Sequence, residues 1–183
     1  TVMIKKYIFG NPFPTHATVE NAEICNHKLP YFKTDENGNF TLNLDENDIV
    51  YGLGEQIRGI NKRGWKYVSW CSDNPDHHED THSLYGAHNF IIVSGKELFG
   101  AFFDYPGRLT FDIGYTKINE MSVHAESNNL AVYIITGENE KDITKQFRRL
   151  IGRSYIPPMW AFGYGQSRWG YQNEQDIRMV AEK

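Results

Sequence analysis

Eight short runs of β-forming residues, each closed by turn residues, fill this chain from its start to about residue 136 and leave it few folds to choose from. They lie at residues 2–9, 39–44, 66–70, 89–94, 98–105, 108–113, 121–125 and 130–135. Glu36-Asn37-Gly38 and Ser94-Gly95-Lys96 read as hairpin turns, and Pro106-Gly107 as a tight corner. Many short strands at this spacing predict an antiparallel sandwich. Phe99, Phe102, Phe103, Tyr105 and Phe111 are expected to supply much of the core between its sheets.

The pattern then changes. Ile143, Phe147, Leu150 and Ile151 recur at helical spacing, with Asn139 as cap and Gly152 as stop, which predicts a helix over 140–151. Beyond it, Pro157-Pro158 stiffens the backbone and pushes Ile156 toward an extended conformation. Trp160, Phe162 and Tyr164 alternate with small residues, as in a strand packed on both faces. After a polar-aromatic loop from Gln166 to Tyr171, Asn173, Glu174 and Asp176 open a second helix with Ile177, Val180 and Ala181 as its apolar stripe. Strand, loop and helix make the first step of a β/α architecture, and the chain is expected to be a fragment that stops inside that helix.

Composition narrows the function classes. Hydrophobic residues at 40% and charged residues at 23% are the ordinary balance of a folded globular chain, and 183 residues suffice for one well-buried domain. A net charge of -4 argues against a nucleic-acid or anionic-membrane partner, either of which needs a basic surface. Lys5 and Lys6 interrupt the apolar start, so no signal peptide is read there, and no apolar run reaches the roughly 20 residues of a membrane span. Cys25 and Cys71 are too few for a disulfide framework. A cytoplasmic location is expected, with Asn39-Phe40-Thr41 an incidental sequon.

Three ordered stretches carry a resemblance. Residues 157–171 follow the pattern Pro-Pro-x-Trp-(Ala/Ser)-x-Gly-(Phe/Tyr)-x-x-(Ser/Cys)-Arg-(Tyr/Trp)-Gly-Tyr. Tyr51-Gly52-Leu53-Gly54-Glu55 is the second, and Leu84-Tyr85-Gly86-Ala87-His88-Asn89-Phe90 the third, with Asn89 where proline is usual. Together they resemble glycoside hydrolase family 31, the α-glucosidases and α-xylosidases. The resemblance implies a mainly β fold: an N-terminal antiparallel β-sandwich (1–138), a linker helix and lead-in segment (139–156), and the start of a truncated catalytic (β/α)8 barrel (157–183). It implies a retaining, exo-acting α-glucosidase as the parent, working on terminal α-linked glucose of an oligosaccharide partner, with a homo-oligomer as one possible state. α-Xylosidase and a non-catalytic carbohydrate-binding or interaction sandwich are the alternatives. The family's two catalytic Asp residues lie on later barrel strands, so both are expected downstream of Lys183 and none is assigned in this chain. No cofactor is implied, and the fragment alone is expected to be inactive.

Two residues stand out as substrate contacts. The resembled family sends a loop of the sandwich over the barrel mouth, where an Asp contacts the sugar on the leaving-group side. Asp73 matches it best by position and Asp76 is the rival, while a cap on the Asp73-Asn74-Pro75 turn is the plain structural role for Asp73. A carboxylate suits the task because it accepts two hydroxyl hydrogen bonds. Trp169 follows the expected first barrel strand at its C-terminal end, where barrel enzymes keep their chemistry and where an indole can stack on a pyranose. The family often carries Tyr there. Arg168 is assigned to the scaffold.

Other signals have plainer explanations. Gly52-x-Gly54 lacks the third glycine and following helix of a dinucleotide loop. Glu55 is expected to be satisfied by backbone or Arg58. The His77-His78-Glu79-Asp80-Thr81-His82 cluster invites a metal, but its surroundings have no helical pattern, and no metal site is assigned.

Overall fold

Apolar at nearly every position, the run Leu130–Thr136 becomes an interior strand in a computed structural model that describes residues 3–167 and 170–182. In chain order the strands are β1 (Met3–Phe9), β2 (Glu23–Ile24), β3 (Lys33–Thr34), β4 (Asn39–Asn43), β5 (Ile49–Gly52) and β6 (Trp65–Ser69). They continue with β7 (Phe90–Ser94), β8 (Leu98–Asp104), β9 (Leu109–Ile113), β10 (Glu120–Ala125) and β11 (Leu130–Thr136). Helix α1 (Glu140–Ile151), a 3-10 turn (Met159–Phe162) and helix α2 (Glu174–Ala181) complete the order.

The strands form two sheets, β2-β1-β11-β8-β7-β5 and β3-β4-β10-β9-β6. All pairings are antiparallel except the two-residue contact of β2 with β1. The chain leaves the first sheet at Asp104 and joins the second at Leu109, turning at Pro106-Gly107. Where the inner faces meet, Phe103 packs edge-on against Phe40 and Phe111, with ring centroids 5.4 and 5.8 Å apart. Leu130, Val132 and Ile134 point into the same core, with Val123 and Met121 opposite.

The alternate residues of β11, Ala131, Tyr133 and Ile135, face outward and are buried too, because α1 covers them. Strand β11 is thus buried on both faces, which is why its sequence is a continuous apolar run rather than an alternating one. Helix α1 brings Ile143 and Leu150 down onto this face, both at 0% exposure, each worth about 1.5–3 kcal/mol of burial. The Phe147 ring stacks on Phe90 at 3.8 Å. Gly100 of β8 makes this approach possible, since a Cβ there would lie 2.6 Å from Ile143 Cγ2. The caps are those the sequence predicts: Asn139 accepts from the Asp142 amide, and Gly152 ends the helix at φ 92°.

Asp112 fixes the connection after β9. Burial pushes its carboxyl pKa up, but the Thr116 hydroxyl, the Thr116 and Tyr115 amides and the Lys66 charge together hold it below the ordinary carboxylate value. A carboxyl with a lowered folded pKa stabilises the fold above the unfolded value of about 3.9, and this is lost as pH falls through the folded pKa. Asp112→Asn should therefore destabilise the chain at pH 7, with the gap to the unmodified protein closing in urea melts taken at successively lower pH below 4. A gap that stayed constant with pH would assign the effect to packing.

The chain divides into two compact units, Thr1–Arg153 and Ser154–Lys183. In the second, α2 starts where the sequence places it, with Asn173 accepting from the Asp176 amide. The strand expected across Trp160 to Tyr164 is not formed. Met159–Phe162 is one 3-10 turn, closed by Ala161 N–H to Pro158 O and Gly163 N–H to Trp160 O. Trp160, Phe162 and Tyr164 are exposed. A strand needs a neighbour for its backbone groups, and none exists among the described residues of this unit, so the segment satisfies itself locally.

Candidate functional site

Two of the family-like stretches meet in space. Strand β5 pairs with β7 so that Gly52 stands opposite Ile91, and Leu53 N–H reaches Phe90 O at 2.9 Å. Gly52 (φ 121°) and Gly54 (φ 62°) take backbone conformations that side chains resist; a Cβ would fall 2.2 Å from Phe90 O and 2.1 Å from His88 Cδ2. The two glycines are thus positions of close packing at the strand end. Glu55 is exposed beyond them. Arg58, expected to satisfy it, instead lies over the Trp65 ring, 4.1 Å from its centroid.

Between these stretches the chain leaves β6 and makes the long loop to β7. Its two legs are clamped. Val68 N–H donates to His82 O at 2.8 Å and Ser72 N–H to Leu84 O at 3.0 Å, so the returning leg covers the free edge of β6. His82 Nδ1 lies 2.7 Å from Lys66 O; a carbonyl only accepts, so Nδ1 carries the proton. The Ser83 hydroxyl donates to Trp70 O, and Leu84 is buried beneath. At the base, buried Ser69 donates to Asn89 Oδ1, while Asn89 Nδ2 donates to Tyr105 O at 3.3 Å. A rigid base thus carries an exposed tip.

Asp73 and Asp76 both lie at that tip, exposed. The turn they share is held by Asn74, whose Oδ1 accepts from the Asp76 amide at 3.0 Å. The cap considered for Asp73 therefore falls to its neighbour, and among the described residues no hydrogen bond or ion pair engages the Asp73 carboxylate. His77, His78 and His82 engage different neighbours: the Tyr85 ring, Thr81 and Lys66. Among the described residues no group of three or more His, Cys, Asp and Glu is placed to hold a metal ion. Trp169 and Arg168 lie outside the described residues.

The structure adds a feature that no single motif announces. Trp70, at the end of β6, is 44% exposed, with the Arg108 guanidinium 5.2 Å from its ring centroid. It walls an open cleft of about 340 Å³ shared with Cys71, Ala87, Asn89 and the Tyr105-Pro106-Gly107 corner. The signal available in the sequence was a tryptophan at a strand end, three residues before Asp73.

Comparison with known proteins agrees with this architecture. Residues 13–112 match the glycosyl hydrolase 31 N-terminal galactose mutarotase-like domain. Alpha-glucosidase 2 of Bacillus thermoamyloliquefaciens is 37% identical over 141 residues, covering 76% of this chain and 18% of that protein. Alpha-xylosidase XylQ of Lactiplantibacillus pentosus is 29% identical over 148 residues, covering 80% and 18%. Among solved structures, a family 31 dextranase of Flavobacterium johnsoniae, complexed with isomaltotriose, superposes with a TM-score of 0.70 at 29% identity over 85% of this chain and 19% of its own. The chain thus spans less than a fifth of each of these relatives. With the domain match covering more than half of its residues and two paired family motifs at the base of its long loop, the chain belongs to glycoside hydrolase family 31.

Proposed function

We propose that the chain is the N-terminal part of a retaining, exo-acting α-glucosidase that releases terminal α-linked glucose from oligosaccharides. The observation that carries this reading is the 37% identity to an alpha-glucosidase across 76% of the chain. Residues 1–138 are its sandwich, 139–156 its linker helix and lead-in, and 157–183 the start of its (β/α)8 barrel. Retention requires two carboxylates about 5–5.5 Å apart, one a nucleophile and one a general acid/base. On this reading both lie downstream of Lys183, and this chain would supply binding rather than bond cleavage. Asp73 would orient the sugar on the leaving-group side through its two acceptor oxygens, and Trp169 would offer an aromatic face to a pyranose.

The purified 183-residue chain should show no turnover of an aryl α-glucoside, whereas the longer parent should hydrolyse it and release the α-anomer first, read by NMR. Activity that copurifies with the 183-residue chain would sink the first half, and initial release of the β-anomer the second. α-Xylosidase is the second reading, favoured by the XylQ match. The ratio of kcat/KM for aryl α-glucoside and aryl α-xyloside separates the two, since one hydroxymethyl group must be accepted or rejected.

A further inference from the structure

We propose that the Trp70 cleft is a second sugar subsite, taking a distal unit of an α-linked oligosaccharide whose nearer sugars lie at Asp73; it rests on the glycosidase reading for its place in a reaction, though not for binding itself. Three observations carry it. Part of the indole is open to a ligand: Trp70 is 44% exposed, with Arg108 over one face, at the end of a strand whose preceding residue, Ser69, is buried. Arg108 stacked over the ring holds the indole in place, so ordering it on binding costs little. The opposite wall is firm as well. Gly107 lets the Tyr105 ring lie against the backbone, since a Cβ there would fall 2.7–2.9 Å from Tyr105 Cε1, Cζ and Oη. Ser69, Asn89 and the Tyr105 carbonyl tie the floor together.

The chemistry selects a neutral polyol. An aromatic face takes the apolar side of a pyranose, and Tyr105 in the wall, with Arg108 beside the indole, brings hydrogen-bonding groups within reach of its hydroxyls. Arg108 takes part in no ion pair among the described residues, so its donors remain for a ligand. The cleft volume of about 340 Å³ falls at the lower end of the roughly 300–1,000 Å³ typical of small-molecule sites. Two residues, Cys71 and Ser72, separate Trp70 from Asp73, at most about 11 Å of extended chain, so one oligosaccharide can span both.

Every wall of the cleft belongs to one compact unit, so the 183-residue chain itself can be tested. Titration with isomaltotriose and with maltotriose, followed by 15N–1H NMR, should move the Trp70 indole signal and the Asn89 and Gly107 amides saturably. Trp70→Phe identifies the indole signal and should keep most of the affinity, whereas Trp70→Ala should weaken it at least about tenfold. If the Ala variant loses its dispersed spectrum, Arg108→Gln takes its place, with a smaller loss expected. No saturable movement in the unmodified chain with either sugar overturns the proposal. In the longer parent, Trp70→Ala should lower kcat/KM on trisaccharides and longer substrates and spare disaccharides and aryl α-glucosides; an equal loss at every length overturns it. A parent without α-glucosidase activity would defeat the functional reading alone, leaving the titration to decide the cleft.

Discussion

Phe103→Ala should lower the unfolding free energy by about 3–5 kcal/mol, measured by urea denaturation of the 183-residue chain at pH 7. Phe103 has no exposed surface and sits where the two sheets touch. Its own strand, β8, belongs to one sheet; Phe40 and Phe111 come from β4 and β9 of the other, and Phe32 from the segment just before β3. All three contacts are edge-to-face, at 5.8 Å for Phe32, the geometry in which aromatic pairs add about 0.5–1.5 kcal/mol beyond simple burial. Truncation removes the ring from all three partners at once and leaves a cavity walled by strands that cannot collapse inward without breaking their ladders. Phe103→Leu, which keeps much of the volume, should cost clearly less. A loss under half a kcal/mol for Phe103→Ala, at an unchanged urea slope, would mean the ring does not hold the sheets together.

Such packing follows from what the sequence shows, except that Phe102, expected between the sheets, faces the α1 side with Tyr133 and Ile143 because side chains alternate along β8. The Leu130–Thr136 run has no polar alternation, and it is the strand with a core on each side. Asn139 and Gly152 mark the limits of α1, because capping is a local matter that needs no tertiary context. Elements that borrow their stability from elsewhere were harder to read. Strands β2 and β3 are two residues each, held only by pairing with β1 and β4, and neither carries a pattern of its own. Ile49–Gly52 reads first as a glycine motif, since half of its length is occupied by it. Trp160 to Tyr164 shows the converse: the residues suit a strand, but a strand is a property of two segments, and the described residues hold no partner. The site follows the same rule. Asp73 could be proposed from the sequence because its loop is bracketed by two motifs. The Trp70 cleft could not, since residues 69–71, 87–89 and 105–107 are brought together only by the ends of β6, β7 and β8.

Asp73→Ala in the longer parent should reduce kcat/KM on disaccharides by roughly ten- to a hundredfold, the worth of a lost charged hydrogen bond of about 1.5–3 kcal/mol. The loop's construction is the reason to expect a clean result. Its legs are fixed by Val68, Ser72, His82 and Ser83, and its turn by Asn74, so the Asp73 carboxylate can be removed without loosening the scaffold. Substrate dependence then separates binding from structure. A disaccharide presents hydroxyls on its second sugar for the carboxylate to accept, whereas an aryl glucoside has a flat ring there, so aryl substrates should lose far less. Trp169→Ala serves as the contrast: if Trp169 offers the pyranose-stacking face proposed for it, losing that face should lower kcat/KM for both substrate types. Asp73→Asn, which keeps shape and one acceptor but not the charge, should fall between wild type and Ala on disaccharides. Equal losses for Asp73→Ala on both substrate types would return Asp73 to a purely structural role, and an effect from Asp76→Ala in its place would pass the assignment to the other carboxylate of the tip.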